Sequence, residues 1–464
     1  MSFLHRNSSP LDRTKRPSAG PLRPFHVPAV ERHRLPGGLP VHVVRQPHLP
    51  VVTAAFVLPA GEGALSDAEA GLASLTADAL EGGTKRRSGS ALAEALEAIG
   101  ADASASSGWD STIVSLSCLS DRLDEGLDLL VEMLLAPAFD ESEVARVRDQ
   151  QLARLRQRAS DPSSLAADRS VALWYAEGEP YARTSGGREE VLSAVEASTL
   201  RAFAQRWYLP AGAGLVLVGD VDADEVLPLA ERMLAGWEGA PPALPEITGR
   251  PRFTQRSVHV IDRPGAVQSE LRIGQPGISR NTPDHAALVV ANAVLGGTFT
   301  SRLNLNLRER NGFTYGVRSR FAFRRGPGPF SISTAIDTDV TASAVREALF
   351  ELDRFVADGP AEDELVAVRD YIAGVFPLQL ETTGQVAGRV AELLVYGLPD
   401  SAWVSYRDDI RAVDVEAAHR AFAKVVQPEQ ATVVVVGDAE RVRPELEALA
   451  IGPVTVHQAD APAS

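Results

Sequence analysis

The chain has 464 residues, 45% of them hydrophobic and 23% charged, a balance ordinary for soluble globular proteins and a length that calls for roughly two to four domains. A net charge of −15 argues against a nucleic-acid partner, because phosphate recognition needs a basic face, and is compatible with attracting basic peptides. No stretch has the roughly eighteen consecutive apolar residues of a membrane span, and the single cysteine, Cys118, excludes an internal disulfide.

The first 30 residues are rich in Ser, Pro and Arg, with Asp12 the only acid and no apolar segment of the kind a secretory signal needs. Pro10, Pro17, Pro21 and Pro24 oppose the amphipathic helix of an organelle transit peptide. Residues 1–30 are therefore expected to be a disordered tail, and the protein to reside in a bacterial cytoplasm rather than an organelle matrix.

The next 210 or so residues, 31–240, read as one α+β unit. Strands are expected over 39–44 and 53–58. Ser66 and Glu69 form a capping box ahead of a helix whose inner stripe is Leu72, Leu75 and Ala79. A helix over 91–99 is stopped by Gly100, a strand over 111–119 alternates, and a helix over 121–135 follows. A long helix starts near Glu141, with acids in its first turn and Arg154, Arg156 and Arg158 towards its end, as the helix dipole favours. Helices over 166–176 and 197–207 lead to a short apolar run, 214–218, that reads as a buried strand. Residues 241–253 contain Pro241, Pro242, Pro245 and Pro251 and are expected to be a semi-stiff linker. Residues 254–452 form the second unit, with 453–464 as a tail.

The second unit repeats the first. Val41-His42-Val43 returns as Val258-His259-Val260, Gly82-Gly83-Thr84 as Gly296-Gly297-Thr298, Glu143 to Asp149 as Glu364 to Asp370, and Leu217-Val218-Gly219-Asp220 as Val435-Val436-Gly437-Asp438. The offsets are 217, 214, 221 and 218, and four anchors kept in order at nearly one offset indicate a duplicated half rather than a solenoid repeat. Segregated runs of strands and helices predict an α+β fold of helices layered on a mainly antiparallel sheet in each half.

The most distinctive stretch is 295–317. It reads as a Gly-Gly turn, a short helix with Leu303 and Leu307 one turn apart, a stop at Gly312, and a strand carrying Phe313, Tyr315, Val317, Phe321 and Phe323 on one face. From pattern alone Tyr315 is a core aromatic, Arg308 belongs to a solvated helix face, and Gly296 and Gly297 make a tight turn.

This pattern resembles the insulinase/pitrilysin family of zinc peptidases, and within it the short two-chain, processing-peptidase type, over nearly the whole chain from about Leu35 to Leu449. The resemblance implies two homologous halves, each a duplicated α+β sandwich, that form half of a clam-shell chamber. Active members carry His-x-x-Glu-His on the first long helix. Here the surrounding Gly71-Leu72-Ala73 and Gly82-Gly83-Thr84 persist, but Ser74 and Asp78 stand where the histidines would, Ala77 where the Glu would, and Arg154 near the third ligand. Two histidines one turn apart grip a zinc ion and the Glu activates its water; none of that chemistry is present, so no metal is expected in this chain and no catalytic residue of its own. The resemblance also implies that Arg308-Glu309-Arg310-Asn311-Gly312-Phe313-Thr314-Tyr315 matches the segment through which the metal-free subunit offers an Arg and a Tyr to the substrate. Arg308 and Tyr315 are then substrate-positioning residues, and Gly296 and Gly297 candidates for a loop that contacts substrate. The implied partners are a homologous subunit that carries zinc and an extended peptide. The alternative reading is a catalytically silent scaffold or peptide-binding module.

Overall fold

The computed structural model describes Thr14, Gly20 and residues 23–459, so most of the tail expected over 1–30 lies outside the described residues. The first half builds one sheet from β1 (Glu31–Arg34), β2 (Pro40–Arg45), β3 (Val51–Leu58), β4 (Asp102–Ser107), β5 (Thr112–Leu119) and β6 (Gly214–Gly219). The second half builds another from β7 (Ser257–Asp262), β8 (Gln268–Pro276), β9 (Val317–Phe321), β10 (Pro329–Asp337), β11 (Thr432–Gly437) and β12 (Val454–Gln458). The spatial orders are β1-β2-β6-β3-β5-β4 and β12-β7-β11-β8-β10-β9. The duplication is thus a duplication of topology, with β2 matching β7, β6 matching β11, and β4 matching β9. Both sheets are mixed: β2 runs parallel to β6 and β7 parallel to β11, while the ladders from there to β4 and to β9 are antiparallel.

The outermost position beside β2 and beside β7 is filled differently. β1 comes from the N-terminal side and pairs antiparallel, whereas β12 comes from the C-terminal side and pairs parallel. Residues 454–458, expected within a tail, are therefore a sheet strand, because β7 presents an unpaired edge that a Val-Thr-Val run fits.

Each sheet buries one face under its own helices. Leu75, Leu127, Leu130, Leu200 and Phe203 pack on Val41, Val43, Phe56, Leu116 and Leu215 in the first half. Leu349, Leu352, Phe355 and Phe422 pack on Val258, Val260, Leu271 and Ile332 in the second. The opposite faces are covered by an exchange. Helix Pro162–Trp174 belongs to the first half but lays Leu165, Ala166 and Leu173 on Ile261, Val434 and Val436 of the second sheet. Helix Thr383–Tyr396 belongs to the second half but lays Val386, Ala387, Val390 and Leu393 on Val44, Ala55, Val57, Val216 and Val218 of the first. That exchange explains why β6 and β11 are continuous apolar runs: they are covered on both faces. Helix Pro162–Trp174 begins earlier than the expected 166, since Asp161 accepts from Ser164 N and Pro162 opens the first turn, a start signal in its own right.

Polar bonds reinforce the exchange. Tyr181 Oη donates to Asp110 Oδ1 at 2.9 Å, Arg325 N donates to Asp110 Oδ2 at 3.0 Å, and Tyr175 Oη donates to the Pro327 carbonyl at 2.9 Å. The segment 241–253 carries no helix or long strand, as its prolines require, yet it is docked rather than a free spacer: Ile247 is buried among Trp174, Tyr175 and Tyr181, and Pro251 bridges to Tyr175.

Candidate functional site

Because helix Pro162–Trp174 lies mainly over β8 and β11, with Ile261 of β7, and reaches β10 only in part, the outer face of β9 and the rest of β10 is left bare. It becomes the floor of a cavity of about 920 Å³ between the halves. Arg318, Arg320, Ser331 and Ser333 make the floor, where Arg318 lies opposite Ser333 and Arg320 opposite Ser331 in the ladder. Asp168, Val171 and Trp174 make one wall, Arg183 to Ser185 another, and Gly296 to Phe299 with Tyr315 the rim. Several charges here are already matched. Arg158 meets Asp168 at 2.5 Å, Arg183 meets Asp67 at 3.1 Å, and Arg272 meets Glu270 at 2.9 Å. Arg324 lies between the rings of Trp109 and Tyr181, 4.4 and 4.5 Å from their centroids, where two π faces stabilise the guanidinium.

The two helical turns that frame the rim are over-wide. Segments Ala293–Gly297 and Asn304–Arg310 are π-helical; in the second, Asn311 N donates to the Asn306 carbonyl five residues back at 3.1 Å. The expected Gly-Gly turn is thus the end of a π-wound helix. Gly296 is there for contact, since a Cβ would fall 2.6 Å from both the N and Oγ of Ser319. Leu303 and Leu307 are buried as expected, and Gly312 stops the segment at φ 65. Buried Arg302 anchors it through Glu364 at 2.6 Å and the Gly359 carbonyl at 2.9 Å.

Tyr315 is 97% exposed, which corrects the expectation that it shares a strand face with core residues. The chain enters the ladder only at Val317, because Thr314 holds the preceding turn off it: Thr314 Oγ1 donates to the Ala335 carbonyl at 2.8 Å and accepts from Gly316 N at 3.1 Å. Tyr315 therefore projects at the cavity mouth with its hydroxyl unused. Arg308 is half-buried, its guanidinium 4.0 Å from the ring centroid of Phe299, itself a rim residue that is 68% exposed. Its Nη1 lies 3.3 Å from Glu309 but out of line for a hydrogen bond, and is enclosed with no hydrogen-bond partner. The structure thus brings Tyr315, Gly296 and Gly297 to one cavity rim and places Arg308 against that rim through Phe299.

The degenerate motif lies on helix Leu72–Ala79. Ser74 N and Oγ both donate to Glu62 Oε1, at 3.0 and 3.1 Å, and Ser74 Oγ also reaches the Ser185 carbonyl at 3.2 Å. Ala77 is fully buried. Asp78 is joined by Arg154 Nη1 at 2.9 Å, and the same nitrogen donates to Gln151 Oε1 at 3.1 Å. Gln151 in turn donates to the Gly186 carbonyl at 2.9 Å. An ion pair and a backbone strap thus occupy the space between the two helices. This donor set does not suit zinc: it offers one carboxylate, already neutralised, beside a cation that repels a metal. Among the described residues no cluster of three His, Cys, Asp or Glu side chains could hold a metal.

The two terminal edges differ. On β9, Asn304 Nδ2 donates to the Val317 carbonyl at 2.9 Å and Val317 N donates to Asn304 Oδ1 at 3.1 Å. Asn292 Nδ2 donates to the Ser319 carbonyl at 3.1 Å. Side-chain amides thus plug the β9 edge. On β4, among the described residues, the bond onto the edge is Ala105 N to Glu81 Oε1 at 3.4 Å; that edge is open.

Comparison with known proteins agrees with this architecture. Residues 41–180 match the family described as Insulinase (Peptidase family M16), and residues 194–371 match Peptidase M16 inactive domain. The chain belongs to the insulinase family. Within that family it lacks the His-x-x-Glu-His motif. An uncharacterised zinc protease of Mycobacterium leprae is 27% identical over 369 residues, covering 77% of this chain and 81% of the relative. The non-peptidase homolog YmxG of Helicobacter pylori is 26% identical over 346 residues, covering 73% and 78%. The solved Peptidase M16 inactive domain of Pseudomonas fluorescens superposes with a TM-score of 0.82 at 27% identity, covering 88% of this chain and 98% of that one. The insulinase fold thus spans both halves. Pattern reading missed the floor arginines, although the alternation Val317-Arg318-Ser319-Arg320-Phe321 marks a strand with one basic face.

Proposed function

We propose that this chain is the substrate-positioning subunit of a two-chain zinc endopeptidase, with the zinc on a homologous partner. The observation that carries this reading is the unused hydroxyl of Tyr315, 97% exposed at the cavity rim, with Arg308 stacked against the same rim on the exposed ring of Phe299. An isolated surface would leave a Tyr to lie down on its neighbours, whereas Tyr315 stands free for a ligand; Arg308, beside Glu309 and enclosed at Nη1, would reach a ligand by turning away from Phe299. Arg308 offers a fixed fork of donors to a peptide carbonyl. Tyr315 can donate its hydroxyl proton to an oxygen that gains charge during attack on the scissile bond. The bond-breaking chemistry belongs to the partner, and this chain binds and orients. The open edge of β4 suits an extended peptide, whose main chain would add as a further strand with little demand on its sequence. Among the described residues no helix is long and apolar enough to cross a membrane, and we place the complex in the bacterial cytoplasm.

A second reading, a silent scaffold, is favoured by the non-peptidase homolog above and by similarity to human cytochrome b-c1 complex subunit 1, 28% identical over 217 residues. One experiment separates them. The chain is purified with and without the partner subunit and tested on unfolded peptides. The expected result is no hydrolysis alone, hydrolysis by the complex, and turnover lower by about tenfold or more in Tyr315→Phe and Arg308→Ala complexes. Full turnover by both variants, or failure of any homologous subunit to co-purify, would leave the scaffold.

A further inference from the structure

The floor of the cavity carries charge that the protein as a whole opposes. The chain has a net charge of −15, yet the side chains lining the cavity include Arg158, Arg183, Arg272, Arg318, Arg320 and Arg324 against Asp168 alone. Of these, Arg158, Arg183 and Arg272 are neutralised by Asp168, Asp67 and Glu270, and Arg324 is held between two rings. Arg318 and Arg320 are different. Both are exposed on the same face of β9, flanked across the ladder by the small hydroxyls of Ser333 and Ser331.

The fold does not require arginine there. Gly82 and Gly83 correspond to Gly296 and Gly297 at an offset of 214, and the same offset takes Arg318 to Ser104 and Arg320 to Ser106. In the first sheet those serines lie opposite Ser115 and Ile113 on β5, the register that Ser333 and Ser331 keep on β10. One copy of the duplicated sheet has small neutral side chains on this face, and the other has two cations facing a cavity.

We propose that Arg318 and Arg320 form a binding site for an acidic segment of an extended peptide, in which carboxylates two residues apart lie over the two guanidiniums. This deepens the substrate-positioning reading and rests on it for the choice of a peptide. The geometry suits that ligand. Residues i and i+2 of a strand are separated by about 6.6 Å along one face, and an extended peptide carries its own alternate side chains at the same spacing. The peptide lies over the face rather than joining the β9 edge, because Asn292 and Asn304 occupy that edge. A long polyanion such as nucleic acid fits less well: it carries charge along its whole length and meets the net negative protein beyond the cavity, whereas a peptide concentrates a few carboxylates opposite the two arginines.

The test uses the full chain and fluorescence anisotropy. The probes are a labelled ten-residue peptide with an Asp-x-Glu core, the same peptide with Asn-x-Gln, and a labelled single-stranded oligonucleotide. The acidic peptide is expected to bind about tenfold more tightly than its amide analogue at low salt, the preference narrowing as salt rises, as for exposed charge pairs. The double variant Arg318→Gln, Arg320→Gln is expected to erase the preference while keeping the far-ultraviolet spectrum and melting temperature, since both side chains are exposed. Equal binding of the acidic and amide peptides, or a preference that survives the double variant, overturns the proposal. Tighter binding of the oligonucleotide than of the acidic peptide overturns the assignment to peptide. Because the assay needs no partner and no cleavage, it reads this site separately from turnover by the complex. An acidic preference lost in the double variant, together with unchanged turnover in the Arg308 and Tyr315 variants, would sink the positioning role and keep the site.

Discussion

Leu165→Ala tests whether the two halves are one cooperative body. Leu165 is 6% exposed and belongs by sequence to the first half, but its contacts are in the second, on the face made by Ile261, Val434 and Val436. Truncation to Ala removes three carbons, about 2.4 kcal/mol of transfer free energy at about 0.8 kcal/mol per methylene. A helix held on both flanks cannot collapse fully into the space, so a cavity term brings the cost to about 3 kcal/mol, within the usual range of about 2–5 kcal/mol for buried Leu→Ala. The assay is hydrogen exchange read by mass spectrometry on the native protein. Exchange should accelerate in β7 and β11 as well as in helix Pro162–Trp174. The reciprocal variant Leu393→Ala, 5% exposed on the opposite exchange helix, should accelerate β3 and β6. Acceleration confined to residues before 240 in the first variant would refute the reasoning, and would mean that the two halves open independently on either side of the 241–253 segment.

Two further outcomes follow from buried and paired charges. Burial pushes the Glu62 carboxyl up from its ordinary value, against the opposing bonds from Ser74 and Gly71. The folded state then holds that proton more tightly than the unfolded state does, so the stabilising contribution is complete below the unfolded pKa and is lost as pH rises through the folded one; as pH rises above the unfolded carboxyl value of about 4 the melting temperature of wild type should fall relative to that of Glu62→Gln, and a constant difference would contradict the assignment. Asp78→Ala breaks the pair with Arg154, whose side chains are 30% and 56% exposed, so denaturant unfolding should show a loss of less than about 1 kcal/mol, as solvent screening dictates; a loss of several kcal/mol would mean that the pair holds the two helices together.

The repeat made the two sheets legible, because apolar runs such as Leu215-Val216-Leu217-Val218 and Val433-Val434-Val435-Val436 are bounded by Gly and Asp and have no other reading. The capping box at Ser66 and Glu69 was legible for the same reason, being local chemistry: Ser66 N donates to Glu69 Oε2 at 3.3 Å, although the box closes the single turn Asp67–Glu69 and the helix itself starts at Leu72, after Gly71. What escaped was imposed by distant partners. Strand β4 is Asp-Ala-Ser-Ala-Ser-Ser, a composition with no strand preference, and is a strand because β5 pairs along its whole length. The alternation through Phe313, Tyr315 and Val317 suggested a longer strand, and a single hydroxyl, that of Thr314, decides otherwise. The exchange of the two helices has no sequence signature beyond strands apolar on both faces, so the position of the cavity could not be read without the fold.

On the proposed reading, the divergence of the two copies would give each half a different way to hold the same peptide. The offset of 214 takes Asp78 to Asn292 and Ala105 to Ser319. In the second half that side chain turns towards the terminal strand: Ser319 Oγ donates to Asn292 Oδ1 at 2.8 Å, and the amide returns a bond to the Ser319 carbonyl, closing the edge. In the first half the equivalent Asp78 turns away to Arg154, leaving the edge of β4 with little but the long contact from Ala105 to Glu81. A closed edge can engage an extended chain only through side chains on its face, and β9 is the strand that carries Arg318 and Arg320. An open edge engages it through the main chain, and β4 is the strand whose side chains are too small to select. On the proposed reading, selection by one copy and unselective main-chain binding by the other would together hold one peptide in register. It requires no metal in this chain, only that the edges of the two copies differ, and they differ through residues 78, 292 and 304.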